Sequence, residues 1–246
     1  MSFTLVRHLV ARTLRWKRLV GMGLLASVGG VAAWIVMAGA TGGGEEASLL
    51  FRTSVSTIPA ATLSIALLVV TSAVLRDERD GGTLPYIYLA PMSSVTFAIS
   101  ASVAAVVTAL VVAIIGWIPG WVGAGLVTGD WSLAIPALMV YGLAAVGYAA
   151  IALPLGYLIQ RSLIVGLAYI FVWEGILASA VSGLGPSSIW RTALSGYAGI
   201  ETLPRDALDV LGSVTAGTGG AIAKVAGLLV IGTMVLAWAV RFRDAV

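Results

Sequence analysis

Glu174 is the one acidic residue set deep in an apolar run of this sequence, Phe171-Val172-Trp173-Glu174-Gly175-Ile176. A carboxylate in such surroundings costs several kcal/mol unless it is neutral, paired or facing water. Two roles are open to it. Facing the interior of a helix bundle, it would touch a substrate, a proton or a partner helix. If the run bends near Gly175, it would instead reach headgroups, the Trp190–Arg191 region or free backbone N–H groups. The other concentration of reactive side chains is Arg76-Asp77-Glu78-Arg79-Asp80, five consecutive charges between two long apolar runs. Gly81-Gly82-Thr83-Leu84-Pro85-Tyr86-Ile87-Tyr88-Leu89-Ala90-Pro91 follows. Thr83 can cap a short helix and Pro85 suits its first turn. Leu84 and Ile87, with Tyr88 and Pro91 on an adjacent strip, supply an apolar surface edged by Tyr86 and the charges. A helix of that make-up suits docking into a groove on another protein. The plainer alternative is a loop whose charges only anchor topology.

Several chemistries are excluded. There is no Cys, so disulfides and thiolate metal sites are absent, and the single His is His8. The usual His-based metal site, a Ser-His dyad and most general-base schemes therefore have no residues to use. Gly217-Thr218-Gly219-Gly220-Ala221-Ile222 is glycine-rich but lacks the Gly-Lys-Ser/Thr of a phosphate-binding loop, and reads as a flexible lead into the last apolar run. The chain has no machinery of its own for ATP hydrolysis. Its small positive balance reflects where membrane ends lie and gives no reason to expect a nucleic-acid partner.

The elements that must position these residues are membrane helices. The chain is 59% hydrophobic and 10% charged, with mean hydropathy +1.03, against about 25% charged in soluble domains. The whole chain, 1–246, reads as one all-α membrane domain. Residues 3–18 place Phe3, Leu5, Val6, Leu9, Val10, Leu14 and Trp16 on one helical arc. Arg7, His8, Arg12, Arg15 and Arg18 fill the other, with Lys17 a misfit. Such a basic amphipathic helix suits the headgroup plane, its arginines near anionic lipid. A signal peptide ending near Ala38-Gly39-Ala40 would need a shorter apolar core than the run from Leu19 to Ala40. Six spans are expected at about 19–39, 56–75, 94–116, 134–157, 162–182 and 223–240. Gly116-Trp117-Ile118-Pro119-Gly120-Trp121 ends the third, and these tryptophans with Trp131 read as an interfacial belt.

Six spans put both termini on one side. That side collects ten of the 14 Lys and Arg residues and the other side has four: Arg52, Arg191, Arg205 and Lys224. The excess makes the termini and the 76–93 segment cytoplasmic. The outer segment 183–222 is too apolar for plain coil, and Leu203, Ala207, Val210 and Leu211 at helical spacing predict one or two short helices at or dipping into the membrane. Small-residue sets (Gly142, Ala145, Ala149; Gly21, Gly29, Gly30) permit close helix approach. No internal repeat supports an inverted-repeat transporter.

Glu78-Arg79, Gly82-Thr83-Leu84, Pro91 and Ser93 together resemble the signature after the second span of type-2 ABC exporter permeases. The basic helix before the first span resembles that family's elbow helix. Trp173-Glu174-Gly175 and the long outer loop are similar to a bacterial and archaeal branch of it. Pro85 departs from the acidic residue often found there. The resemblance implies a permease in a prokaryotic cell membrane that pairs with a second permease, commonly a copy of itself, and with two cytoplasmic ATPase subunits that bind ATP and Mg. Glu78, Arg79, Gly82, Thr83, Leu84, Tyr86 and Ile87 would form the coupling helix that receives the ATPase motion. Arg7, Arg12, Arg15 and Arg18 would lie on the elbow. The rival reading from another class is a secondary transporter or channel that works without an ATPase.

Overall fold

A computed structural model describes residues 2–82, 92–212, 214 and 216–243. Among these residues it is all-helical. Helix α1 is Phe3–Thr13, α2 Trp16–Ala38, α3 Gly44–Thr57, α4 Pro59–Asp80, α5 Ser94–Thr128 and α6 Ala137–Leu158. Helix α7 opens as Ser162–Ala168, widens to a π-helix over Tyr169–Leu177 and closes at Ala178–Ala180. A 3₁₀ turn at Ser182–Ser187 leads to α8 (Ile189–Ala198), α9 (Arg205–Leu211) and α10 (Gly217–Arg243). Helices α2, α4, α5, α6 and α10 are long and apolar enough to cross a membrane. The expected fifth span is different: its apolar part, Ser162–Leu177, rises only about 24 Å against a hydrocarbon core of ~30 Å.

Helix α6 is the centre of the bundle, touched by α4, α5, α8 and α10. Its buried face carries Tyr141, Ala145, Tyr148 and Ala152. Close approach elsewhere depends on missing side chains. A Cβ on Gly30 would stand 2.8 Å from the Gly116 carbonyl oxygen, and one on Gly116 would stand 2.9 Å from the Ala26 Cβ. Within the same chain Gly30 therefore seats α2 against α5 and Gly29 seats it against Pro59 of α4, while Gly21 and Gly142 face open space.

Helix α5 runs about 52 Å, well past the expected end at residue 116. Pro119 lies in the Gly116–Trp121 stretch expected to end it, and proline removes one N–H and frees the carbonyl four residues back. Here that carbonyl, on Ile115, accepts from the Ser27 hydroxyl of α2 at 3.3 Å, so the helix continues. It stops at Thr128, where Gly129 takes φ 76°, the left-handed conformation that glycine supplies without a Cβ clash. The tryptophans brace this end. Trp117 and Trp121 stack at 5.4 Å, and Trp131 meets Trp121 edge-on. Their indole N–H groups donate to chain carbonyls, Trp117 to Ala134 and Trp121 to Trp131. This part of the expected interfacial belt spends its polar edges on folding the chain.

Two further expectations change. The amphipathic stretch 3–18 is two pieces, because α1 ends at Thr13 and α2 starts at Trp16. Leu5, Val6 and Leu9 are buried, whereas Phe3 and Trp16 face outward. The Gly217 stretch is no loose lead: it is the first turn of α10, and the Thr218 hydroxyl donates to the Gly196 carbonyl. The outer segment does hold two short helices, α8 and α9, with Ala207 and Leu211 buried.

Candidate functional site

The charged run Arg76–Asp80 is the last turn of α4 rather than a loop. Acidic side chains at a helix C-terminus oppose its dipole, so they need cations from outside the helix. Helices α1 and α2 bring them. Arg12 Nη1 lies 2.8 Å from Glu78 Oε2, and His8 Nε2 lies 3.4 Å from Oε1. The one-turn spacing of His8 and Arg12 puts both on one face of α1. Arg12 also donates to the Asp77 carbonyl at 3.3 Å, and Arg18 of α2 pairs with Asp77 at 2.6 Å. Arg79 turns the other way. Its guanidinium donates to the carbonyls of Tyr157 at 3.1 Å and Ile159 at 3.5 Å, the C-terminal end of α6, where a cation complements the dipole.

Glu78 is 1% exposed. A buried ion pair gives little net stability, but removing one partner of it costs about 3–5 kcal/mol. The three side chains Asp77, Glu78 and Arg79 thus tie the end of α4 to α2, α1 and α6 in turn. A polar recess of about 270 Å³ lies among Arg12, Arg15, Arg18, Asp77 and Asp80. The chain then leaves α4 through Gly82, at φ 65°, a conformation strained for any residue with a Cβ.

Glu174 sits in the π-helical part of α7. Its Oε1 accepts from the Ile189 N–H at 2.6 Å, the Ser188 hydroxyl at 3.2 Å, the Trp190 N–H at 3.3 Å and the Tyr169 hydroxyl at 3.3 Å. The Tyr148 hydroxyl of α6 donates to Oε2. The carboxylate therefore caps the N-terminus of α8, where the first backbone N–H groups lack partners within the helix and the dipole favours an anion. Of the two roles open to Glu174, the geometry supplies the free N–H groups of the second. Its side chain also borders a cavity of about 500 Å³ with Ala60, Ile170, Phe171 and Arg191. Helix α8 is held from other sides as well: the Trp190 indole donates to the Ser56 carbonyl at 3.0 Å, and Lys224 of α10 donates to the Thr192 hydroxyl at 2.7 Å.

The family model described as ABC-2 family transporter protein matches residues 13–176, more than half of the 246. The chain belongs to the ABC-2 transporter family. Among curated proteins no relative matches it. An ABC-2 protein of this kind is a membrane transport subunit, and the family in general works with an ATPase partner. The matched range includes the end of α4 and Glu174, and stops before α8, α9 and α10.

In this ABC-2 permease, the structure gathers Glu78, Arg79, Arg12 and Arg18 around one helix end. Arg15 rims the same recess, and Arg7 is exposed on α1. Gly82 is the exit residue, while Thr83, Leu84, Tyr86 and Ile87 lie outside the described residues. Sequence reasoning missed the roles of His8 and Asp77 at α4, and of Tyr148, Tyr169 and Ser188 at Glu174. The spacing of His8 and Arg12 was a readable signal. The tyrosines offered none, because tyrosine in an apolar helix reads as core or interface alike.

Proposed function

We propose that this permease transmits the motion of two separate ATPase subunits into its own helices, and so exports a substrate as a permease dimer, with a second copy of itself as the natural partner. In this reading α1 is the elbow, the segment after Gly82 is the docking helix, α7 makes a sixth, irregular pass, and both termini are cytoplasmic. The resemblance of Glu78-Arg79, Gly82-Thr83-Leu84 and Pro91 to exporters of the family supports the outward direction.

The observation that carries the proposal is the clamp at the end of α4. Force applied to the segment beyond Gly82 acts on α4, and the bonds of Asp77, Glu78 and Arg79 pass it to α2, α1 and α6 together.

The test has two parts. Tagged permease purified from its own membranes should bring an ATPase subunit with it. Since the sequence has no Cys, a single cysteine placed on α8 can report accessibility before and after ATP. ATP should change its labelling in the parent, and Glu78→Gln with Arg79→Ala should abolish that change while ATP is still hydrolysed. Absence of an ATPase, or an undiminished response in the double variant, overturns the proposal.

A further inference from the structure

A long apolar groove lies away from the charged clamp, in the crease between α5 and α10. It encloses about 590 Å³. Val95, Ile99, Val103 and Val106 of α5 and Val230 and Met234 of α10 line it. Its polar atoms are spent: the Ser102 and Thr233 hydroxyls bond to each other across the floor at 2.8 Å, and Thr233 also donates to the Leu229 carbonyl. The β-branched walls have little rotamer freedom, so the shape is preformed.

We propose that this groove is a binding site for one acyl chain of an anionic phospholipid, with the headgroup held at the Arg241 end. Three observations converge. The first is length: along α5 the groove runs from Val95 to Val107, about 18 Å, close to the ~15 Å hydrocarbon depth of one leaflet. The second is charge at one end only. Arg241 lies four residues after the lining residue Ala237, on the same face of α10. It is exposed beside the Phe242 ring, 5.9 Å from its centroid, and no acid among the described residues pairs with it. The third is the rim. Ile99, Val107, Val230 and Met234 are large and exposed, whereas helices that associate within lipid approach through small residues. That favours a lipid chain over a second copy of the permease.

This inference needs the chain to sit in a bilayer and is independent of coupling to an ATPase. The test uses full-length permease in phosphatidylcholine nanodiscs containing a minor fraction of phosphatidylglycerol. Either lipid carries a diazirine on its acyl chain, and labelled peptides are mapped. Phosphatidylglycerol should label the groove around Val103 and Met234 in preference to the outward α2 face at Leu24 and Ile35. Arg241→Ala should lower that labelling about fivefold and leave phosphatidylcholine labelling unchanged. Val106→Trp should fill the groove and lower both, and the exposed Arg241 change carries the test even if the tryptophan variant misfolds. Equal labelling of groove and α2 face, insensitive to Arg241→Ala, overturns the proposal in favour of ordinary boundary lipid. Disulfide formation between copies through a cysteine at Val107 overturns it in favour of a protein occupant.

Discussion

Replacing Glu174 separates its capping from its charge. Glu174→Ala leaves the N–H groups of Ile189 and Trp190 and the Tyr148 hydroxyl without their acceptor, and all three residues are 4% exposed or less. A buried polar group that loses its partner costs about 1–3 kcal/mol. Ser188 and Tyr169 have second partners, Arg191 N–H and the Ser187 carbonyl, so they add little. Three such groups sum to about 3–9 kcal/mol, and relaxation towards new partners brings the net to the lower part of that range, about 3–5 kcal/mol. Glu174→Gln keeps a carbonyl oxygen for the backbone N–H groups and can turn its amide towards Tyr148, which accepts. It loses the charge–dipole term and the extra strength of charged hydrogen bonds, about 1–2 kcal/mol. For a protein of this size the alanine variant should melt roughly 8–15 °C lower and the glutamine variant roughly 3–6 °C lower. A single cysteine on α8 should become accessible in the alanine variant and stay protected with glutamine, and transport should follow accessibility. Equal melting of both variants and the parent would falsify the capping role. Parental melting of the glutamine variant with transport abolished would show instead that the charge itself takes part in translocation.

The remaining predictions concern the clamp and the packing. Arg12→Ala should destabilise by about 3 kcal/mol, because Glu78 stays buried and loses its guanidinium partner, whereas Arg12→Ala combined with Glu78→Met should recover most of the loss in a melting experiment. Gly116→Leu should cost at least 2–3 kcal/mol by forcing α5 off Ala26 of α2, read as a fall in melting temperature and in monodisperse yield. Tyr197, buried on α8 with no hydrogen-bond partner for its hydroxyl among the described residues, has its pKa pushed up to about 12, first by desolvation and then by nearby Glu201. A raised pKa means that stability is complete below the ordinary tyrosine value of about 10 and falls as pH rises through about 12. The fall is at most about 1.4 kcal/mol per pH unit in that window, and Tyr197→Phe should remove it in alkaline melts.

What the sequence determined by itself was solvent, class and punctuation. Hydropathy summed over some twenty residues does not depend on partners, so the long apolar runs and the short helices of the outer segment were legible, whereas the ends of α4 at Asp80 and of α5 at Thr128 were not. The run Glu78-Arg79-Gly82-Thr83-Leu84 carried the family. Tertiary structure alone decided what each polar group is for. Pro119 looked like a helix end because the sequence could not show Ser27 beside the Ile115 carbonyl. The charged run left a docking helix and a plain loop both open, because the cations that permit acids at the end of α4 come from far along the chain, Arg12 of α1 being 66 residues from Glu78, with Arg18 of α2 on Asp77. Glu174 kept two roles open until α8 placed its first N–H groups against the carboxylate. A backbone group freed or left bare in one helix can be satisfied only by whatever packs next to it. That neighbour is a property of the fold, and no local pattern of residues records it.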